Sequence, residues 1–122
     1  MSRRRSFELT DDLLRMYSRR GNFHSDPEAA AELGYRKLVA QGMQVAAPAY
    51  GLLLDAWGEE FLAHGSVELK FVGMVTGGER VKAEVTLTEA PEERAQLEVT
   101  STTTGRTAVV GSAHRRNPHA DR

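Results

Sequence analysis

Between Gly42 and Trp57 the apolar residues Met43, Ala46, Ala47, Tyr50, Leu53, Leu54 and Trp57 recur at helical spacing. Val45, Ala49 and Leu52 make the other face of the same segment apolar too. A helix that is apolar nearly all round belongs in an interior. Pro48 deletes one internal hydrogen bond, so a bend or an irregular first turn is expected there. After Gly65 the period changes to two. Val67, Leu69 and Phe71 alternate with Glu68 and Lys70, and Val81, Ala83, Val85 and Leu87 alternate with Lys82, Glu84, Thr86 and Thr88. Gly77-Gly78 and the run Ala90-Pro91-Glu92-Glu93 punctuate the pattern. Gln96 to Thr103 and Arg106 to His114 are two further β-rich runs joined around Gly105. Four consecutive strands with short turns predict an antiparallel meander.

Ahead of the buried helix, Ser6 to Leu9 reads as a short strand. Thr10 is placed to cap a helix running to about Arg20, with Asp11 and Asp12 on its first turn. Gly21 and Asn22 form an irregular link. Ser25-Asp26-Pro27-Glu28 has the form of a capping box with proline inside the first turn, and Gly34 is a natural stop for the alanine-rich helix that follows. His24 therefore sits immediately before a helix start. A sheet that curls around one buried helix satisfies both the apolar helix and the alternating strands. The expected fold is α+β, of the hot-dog type.

The 122 residues suit one domain, residues 1–122, with 1–5 and 117–122 as flexible tails. The net charge of −1 argues against a nucleic-acid partner, whose basic face normally shows as excess positive charge. Arg3-Arg4-Arg5 and His114-Arg115-Arg116 lie near the ends and read as solvated tails. With no cysteine, disulfides, thiolate nucleophiles and zinc–thiolate sites are excluded, and the composition fits a cytoplasmic protein. The N-terminus lacks the apolar run of a signal peptide. The longest apolar stretch, Val45 to Leu54, is too short to cross a bilayer, so no membrane partner is expected. The four histidines are scattered and lack matching carboxylates, so neither metal nor cofactor is expected.

The stretch "FHSDPEAAAELGYRKLVAQGM" resembles a motif of the MaoC-like hydratases and dehydratases, which are hot-dog proteins. "VELKFVGMVTGGERVKAEV" and "TGRTAVVGSAHRR" resemble that family's later strands in the same order, so the resemblance covers about Leu9 to Arg116. It implies a homodimer or a larger even-numbered assembly acting on an acyl-CoA or acyl-carrier-protein thioester. The thioester carbonyl would lie at the N-terminus of the central helix, and an aspartate–histidine pair would hold one water. Carried over to this chain, His24 is the motif histidine and the Gly42 backbone N–H is the candidate donor to the thioester oxygen. Gln41 stands where the motif commonly has histidine. Gln41 and Met43 flank or follow the donor as substrate-binding candidates, and Arg20 is a candidate for a phosphate of the carrier arm.

The motif aspartate has no counterpart. Depending on how gaps are placed, its position falls on Arg19, Arg20 or Asn22. Asn22 can orient a water but an amide cannot take its proton, and Asp26 reads as first-turn helix charge. Tyr17, Tyr50 and Trp57 read as packing residues. The expected activity is that of an acyl-thioester hydratase or dehydratase. The alternatives are a thioester-binding or assembly subunit of the same fold, or a thioesterase using Asp55 or Glu59.

Overall fold

The computed structural model describes residues 1–18, 22–89, 91 and 93–117. The elements run in the order β1 (Ser2–Glu8), α1 (Asp11–Tyr17), α2 (Pro27–Glu32), α3 (Gly42–Trp57), α4 (Glu59–His64), β2 (Ser66–Phe71), β3 (Arg80–Leu87), β4 (Arg94–Ser101) and β5 (Thr107–His114). The strands form one antiparallel sheet in the order β1-β3-β4-β5-β2. Helix α3 packs on β1, β3, β4 and β5. This is the hot-dog arrangement.

Alternation makes the sheet one-sided. Val81, Ala83, Val85 and Leu87 of β3 are buried, as are Ala95, Leu97, Val99 and Ser101 of β4. Between β4 and β5 the register slips at Val99/Thr100, which turns both Ala108 and Val109 inward. Helix α3 answers with one stripe: Val45, Ala46, Ala49, Leu52, Leu53 and Trp57. Its other side is not covered by the sheet, and Met43 and Ala47 are exposed. The helix continues through Pro48. It ends at Gly58, whose φ of 62° lets the chain turn into α4 while its N–H still donates to Leu54 O.

Several expectations need correction. The four late strands are not a simple meander, because β2 pairs with β5 and not with β3. Only β3, β4 and β5 follow one another, and the long 72–79 connection carries the chain from one edge strand to β3. Second, residues 1–5 are not a tail: β1 starts at Ser2 and pairs with β3 from Ser2↔Thr86 to Glu8↔Arg80. Arg4 pairs with Glu84, and Arg5 reaches Asp55 of α3 at 3.3 Å. At the other end Arg115 and Arg116 bind Glu60 at 2.9 and 2.5 Å, and the Arg116 guanidinium holds that carboxyl below its ordinary range. Third, Asp26 and not Ser25 caps α2, accepting the Glu28 N–H at 2.9 Å. Proline prefers the first helical position, and Pro27 there makes residue 26 the cap. Helix α1 ends at Tyr17, which is 49% exposed and so not a packing residue.

One buried carboxylate organises the 72–79 connection. Glu79, 6% exposed, accepts from Ser101 Oγ at 2.6 Å, Thr76 N at 2.5 Å and Thr76 Oγ1 at 2.8 Å. Burial alone pushes its pKa up, but these donors outweigh burial and hold it below the ordinary glutamate value. A lowered folded-state pKa means stability that is present above the unfolded value and lost as pH falls through the folded one. Glu79→Gln should therefore cost about 1–3 kcal/mol at neutral pH, the scale of a buried donor left unsatisfied. Urea denaturation should show the gap to wild type closing as pH drops below about 4, the ordinary glutamate range.

Candidate functional site

Residues 22–26 fold into a tight turn because Asn22 serves it twice. Its main-chain oxygen accepts from Ser25 N at 3.0 Å and Asp26 N at 2.7 Å. Its side-chain Oδ1 accepts from His24 N at 2.9 Å. Asn22 Oδ1 also receives Ser18 Oγ at 3.2 Å and Ser25 Oγ at 3.5 Å. The asparagine oxygen is thus committed to holding the turn.

The His24 ring is fixed from the opposite side. Its Nδ1 lies 2.7 Å from the Val39 carbonyl oxygen, and its ring lies against Phe23, tilted by 38° with centroids 3.9 Å apart. Phe23 in turn lies beside Tyr35, at 5.9 Å. A carbonyl can only accept, so Nδ1 carries the proton in the neutral ring and Nε2 keeps its lone pair. Nε2 is the atom able to take a proton from water.

Val39 is the pivot of this region. Its N–H donates to Phe23 O at 3.2 Å, and it bridges to Thr76, with Ala40 N to Val75 O at 2.8 Å and Gly77 N to Leu38 O at 2.9 Å. The histidine turn is therefore bonded to a short strand-like pair that leads directly into α3.

The start of α3 differs from those of α1 and α2. Thr10 caps α1 and Asp26 caps α2, whereas Gln41 at the N-cap of α3 makes no side-chain cap bond. Its amide Nε2 donates to Ser18 Oγ at 3.0 Å instead. The 16-residue helix thus opens at Gly42 with N–H groups available and the positive end of its dipole exposed. These groups adjoin a recess of about 380 Å³ lined by Ala40, Gly42, Val45, Phe71, Met74 and Val109, among others, with no charged side chain among the described residues that line it. Phe71 closes over Gly42: a Cβ at position 42 would lie 2.7 Å from its ring. A larger cleft of about 780 Å³ lies on the outer face of the sheet, around Glu68, Glu84, Gln96, Glu98 and Ser112, away from this chemistry.

The structure therefore brings His24, Asn22 and Gln41 into one hydrogen-bonded neighbourhood through Ser18, with Gly42 next to Gln41 in the chain and Met43 exposed on the first turn of α3. Arg20, with Arg19 and Gly21, falls outside the described residues. Among the described residues no carboxylate forms an ion pair with the His24 ring. Asp55 pairs with Arg5, and at 13 residues beyond Gly42 on the helix it stands about 20 Å from that end. Sequence reasoning missed Ser18 and the Val39 carbonyl. Nothing local marks either, since one is a serine buried by tertiary packing and the other a main-chain oxygen.

Residues 2–110 match the family model described as the MaoC like domain. No curated protein matches the sequence. Among solved structures, the chain is similar to the (R)-hydratase from A. caviae involved in PHA biosynthesis, with 23% identity and a TM-score of 0.73 over 93% of this chain and 91% of that one. It is also similar to the R-hydratase PhaJ1 from Pseudomonas aeruginosa, at 20% identity and a TM-score of 0.74, over 93% and 77% of the two chains. A third is the HadBC 3R-hydroxyacyl-ACP dehydratase complex from Mycobacterium tuberculosis, at 20% and 0.68, over 93% and 92%. At these identities the structural likeness establishes the shared fold.

Proposed function

From a chain that belongs to the MaoC-like domain family, we propose an acyl-thioester hydratase or dehydratase that uses His24 as its acid/base group. The reading rests on one observation: the long central helix begins uncapped at Gly42, three residues after the carbonyl that fixes the His24 tautomer. An enoyl thioester would place its carbonyl oxygen at the Gly42 N–H, where the helix dipole favours the charge of the enolate. His24 Nε2 would take a proton from water as the water oxygen bonds to the β-carbon. The same proton would then pass to the α-carbon, and dehydration is the reverse. Only water and protons are exchanged, so the step calls for no cofactor.

In this account Asn22 shapes the histidine turn instead of holding the water, and Gln41 leaves the helix start open by bonding sideways to Ser18. Met43 would contact the acyl chain, and Arg20 would meet a phosphate of coenzyme A or an acyl-carrier arm. The cytoplasm suits such a substrate, and no described helix is long and apolar enough to cross a membrane.

The active form is proposed as a homodimer. Strand β2 is an edge strand, and Phe71 at its end and Val72 and Met74 just after it are each at least half exposed. Pairing two copies at this edge would satisfy its open backbone groups and cover the apolar residues. One sample tests both statements. Light scattering should give twice the 13.5 kDa chain mass, and a short enoyl thioester should lose its absorbance in the presence of the protein. A monomer mass at micromolar concentration would remove the interface. A protein that binds thioester without turning it over would be a binding or assembly subunit, a reading that the carbonyl in place of a carboxylate at His24 Nδ1 favours.

A further inference from the structure

We propose that Ser18 is a positioning residue that locks the His24 turn to the start of helix α3, an inference that rests on the hydratase reading. Ser18 caps the C-terminus of α1, with its N–H on Leu14 O at 3.1 Å, yet it is only 7% exposed. Its hydroxyl stands between two side chains from different segments. Gln41 Nε2 lies 3.0 Å from Ser18 Oγ, and Asn22 Oδ1 lies 3.2 Å from it.

Chemistry fixes the direction of this relay. The amide nitrogen of Gln41 can only donate, and Oδ1 of Asn22 can only accept. The serine hydroxyl must therefore accept from Gln41 and give its own proton to Asn22. Asn22 Oδ1 also receives the His24 N–H at 2.9 Å. Three hydrogen bonds thus run from the residue that precedes the Gly42 donor to the backbone of the proposed base.

The histidine has a second tether, from its ring to the Val39 carbonyl. The two tethers act on different degrees of freedom. Val39 O sets the ring's tautomer and orientation, whereas Ser18, alongside the Val39 N–H bond to Phe23 O, sets where the turn sits relative to residue 41. The acid/base atom and the oxyanion donor must serve one substrate at once, and displacement of about 1 Å in such a pair can cost on the order of 100-fold in rate. Alanine at position 18 breaks the bonds to Gln41 and Asn22 and leaves the Gln41 amide without that acceptor. Threonine keeps the hydroxyl.

The test compares full-length wild type, Ser18→Ala and Ser18→Thr. Steady-state hydration of a short enoyl thioester gives kcat and KM, and amide hydrogen exchange is followed at His24 and at Leu53. Ser18→Ala should lower kcat about 10-fold, within the range that misplacement produces, with KM changed by less than about twofold. The His24 amide should exchange faster while Leu53, fully buried in α3, keeps its protection. Ser18→Thr should restore both. Unchanged kcat, or loss of Leu53 protection together with activity, would make Ser18 an ordinary structural serine. A threonine variant no better than alanine would also count against the relay. If wild type shows no hydration at all, the hydratase reading fails separately. His24 exchange then still decides: faster exchange in Ser18→Ala supports the coupling, and unchanged exchange overturns it.

Discussion

Gly42→Pro should leave helix α3 folded and lower hydration about 100- to 1000-fold, the usual consequence of deleting one oxyanion donor. Position 42 is the first residue of the helix, where proline's fixed φ is suitable and its missing N–H breaks no helical bond. Gln41 already has φ −69° and ψ 143°, the extended geometry that a residue before proline adopts. A side chain at 42 would press on the Phe71 ring, which is 52% exposed and can turn aside. Gly42→Ala is therefore the proper reference, since it carries the same Cβ and keeps the N–H. Circular dichroism should show equal helix content in both variants. If proline and alanine hydrate a short enoyl thioester equally fast, the thioester oxygen is held elsewhere.

His24→Ala should remove most of the remaining activity, about 100- to 10,000-fold, the span of general acid/base assistance. The fold should survive. His24 is half-buried on a turn whose bonds through the Asn22 oxygen use the backbone N–H of residue 24, and the alanine retains it. What is lost is the bond to Val39 O and the contact with Phe23. Enoyl absorbance and thermal melting of the two proteins measure this directly. If wild type and His24→Ala are equally inactive but both bind thioester, the chain is a binding subunit. If wild type is active and His24→Ala matches it, the base lies at another residue.

The parts of this molecule written in local periodicity were legible, and those written in tertiary pairing were not. Helix α3 was expected from Gly42 to Trp57 and has those bounds. The inward residues of β3 follow from Val81-Ala83-Val85-Leu87. Alternation says which way a side chain points, but not which strand lies beside it, so the pairing of β2 with β5 was invisible. The eight residues between Phe71 and Arg80 were the available hint, being long for a hairpin. Arg3-Arg4-Arg5 has no apolar alternation to mark the first half of strand β1, which forms as an edge strand supported by Glu84 and Asp55. In the site, His24 and Gly42 came from motif position. Ser18 could not, because a serine after a helix looks exposed until other segments close over it.

The bond between His24 and position 39 has an evolutionary consequence. Its acceptor is a peptide oxygen, and every residue that can occupy position 39 supplies one. Sequence drift at that position can change the packing of its side chain while the imidazole keeps the same tautomer. The protonation pattern of the base is inherited from the path of the main chain, through the bridge between Val39 and Thr76, and not from any side chain that a single point mutation could delete. Substitutions that move that bridge, even far from the histidine, are the ones to which the chemistry is exposed.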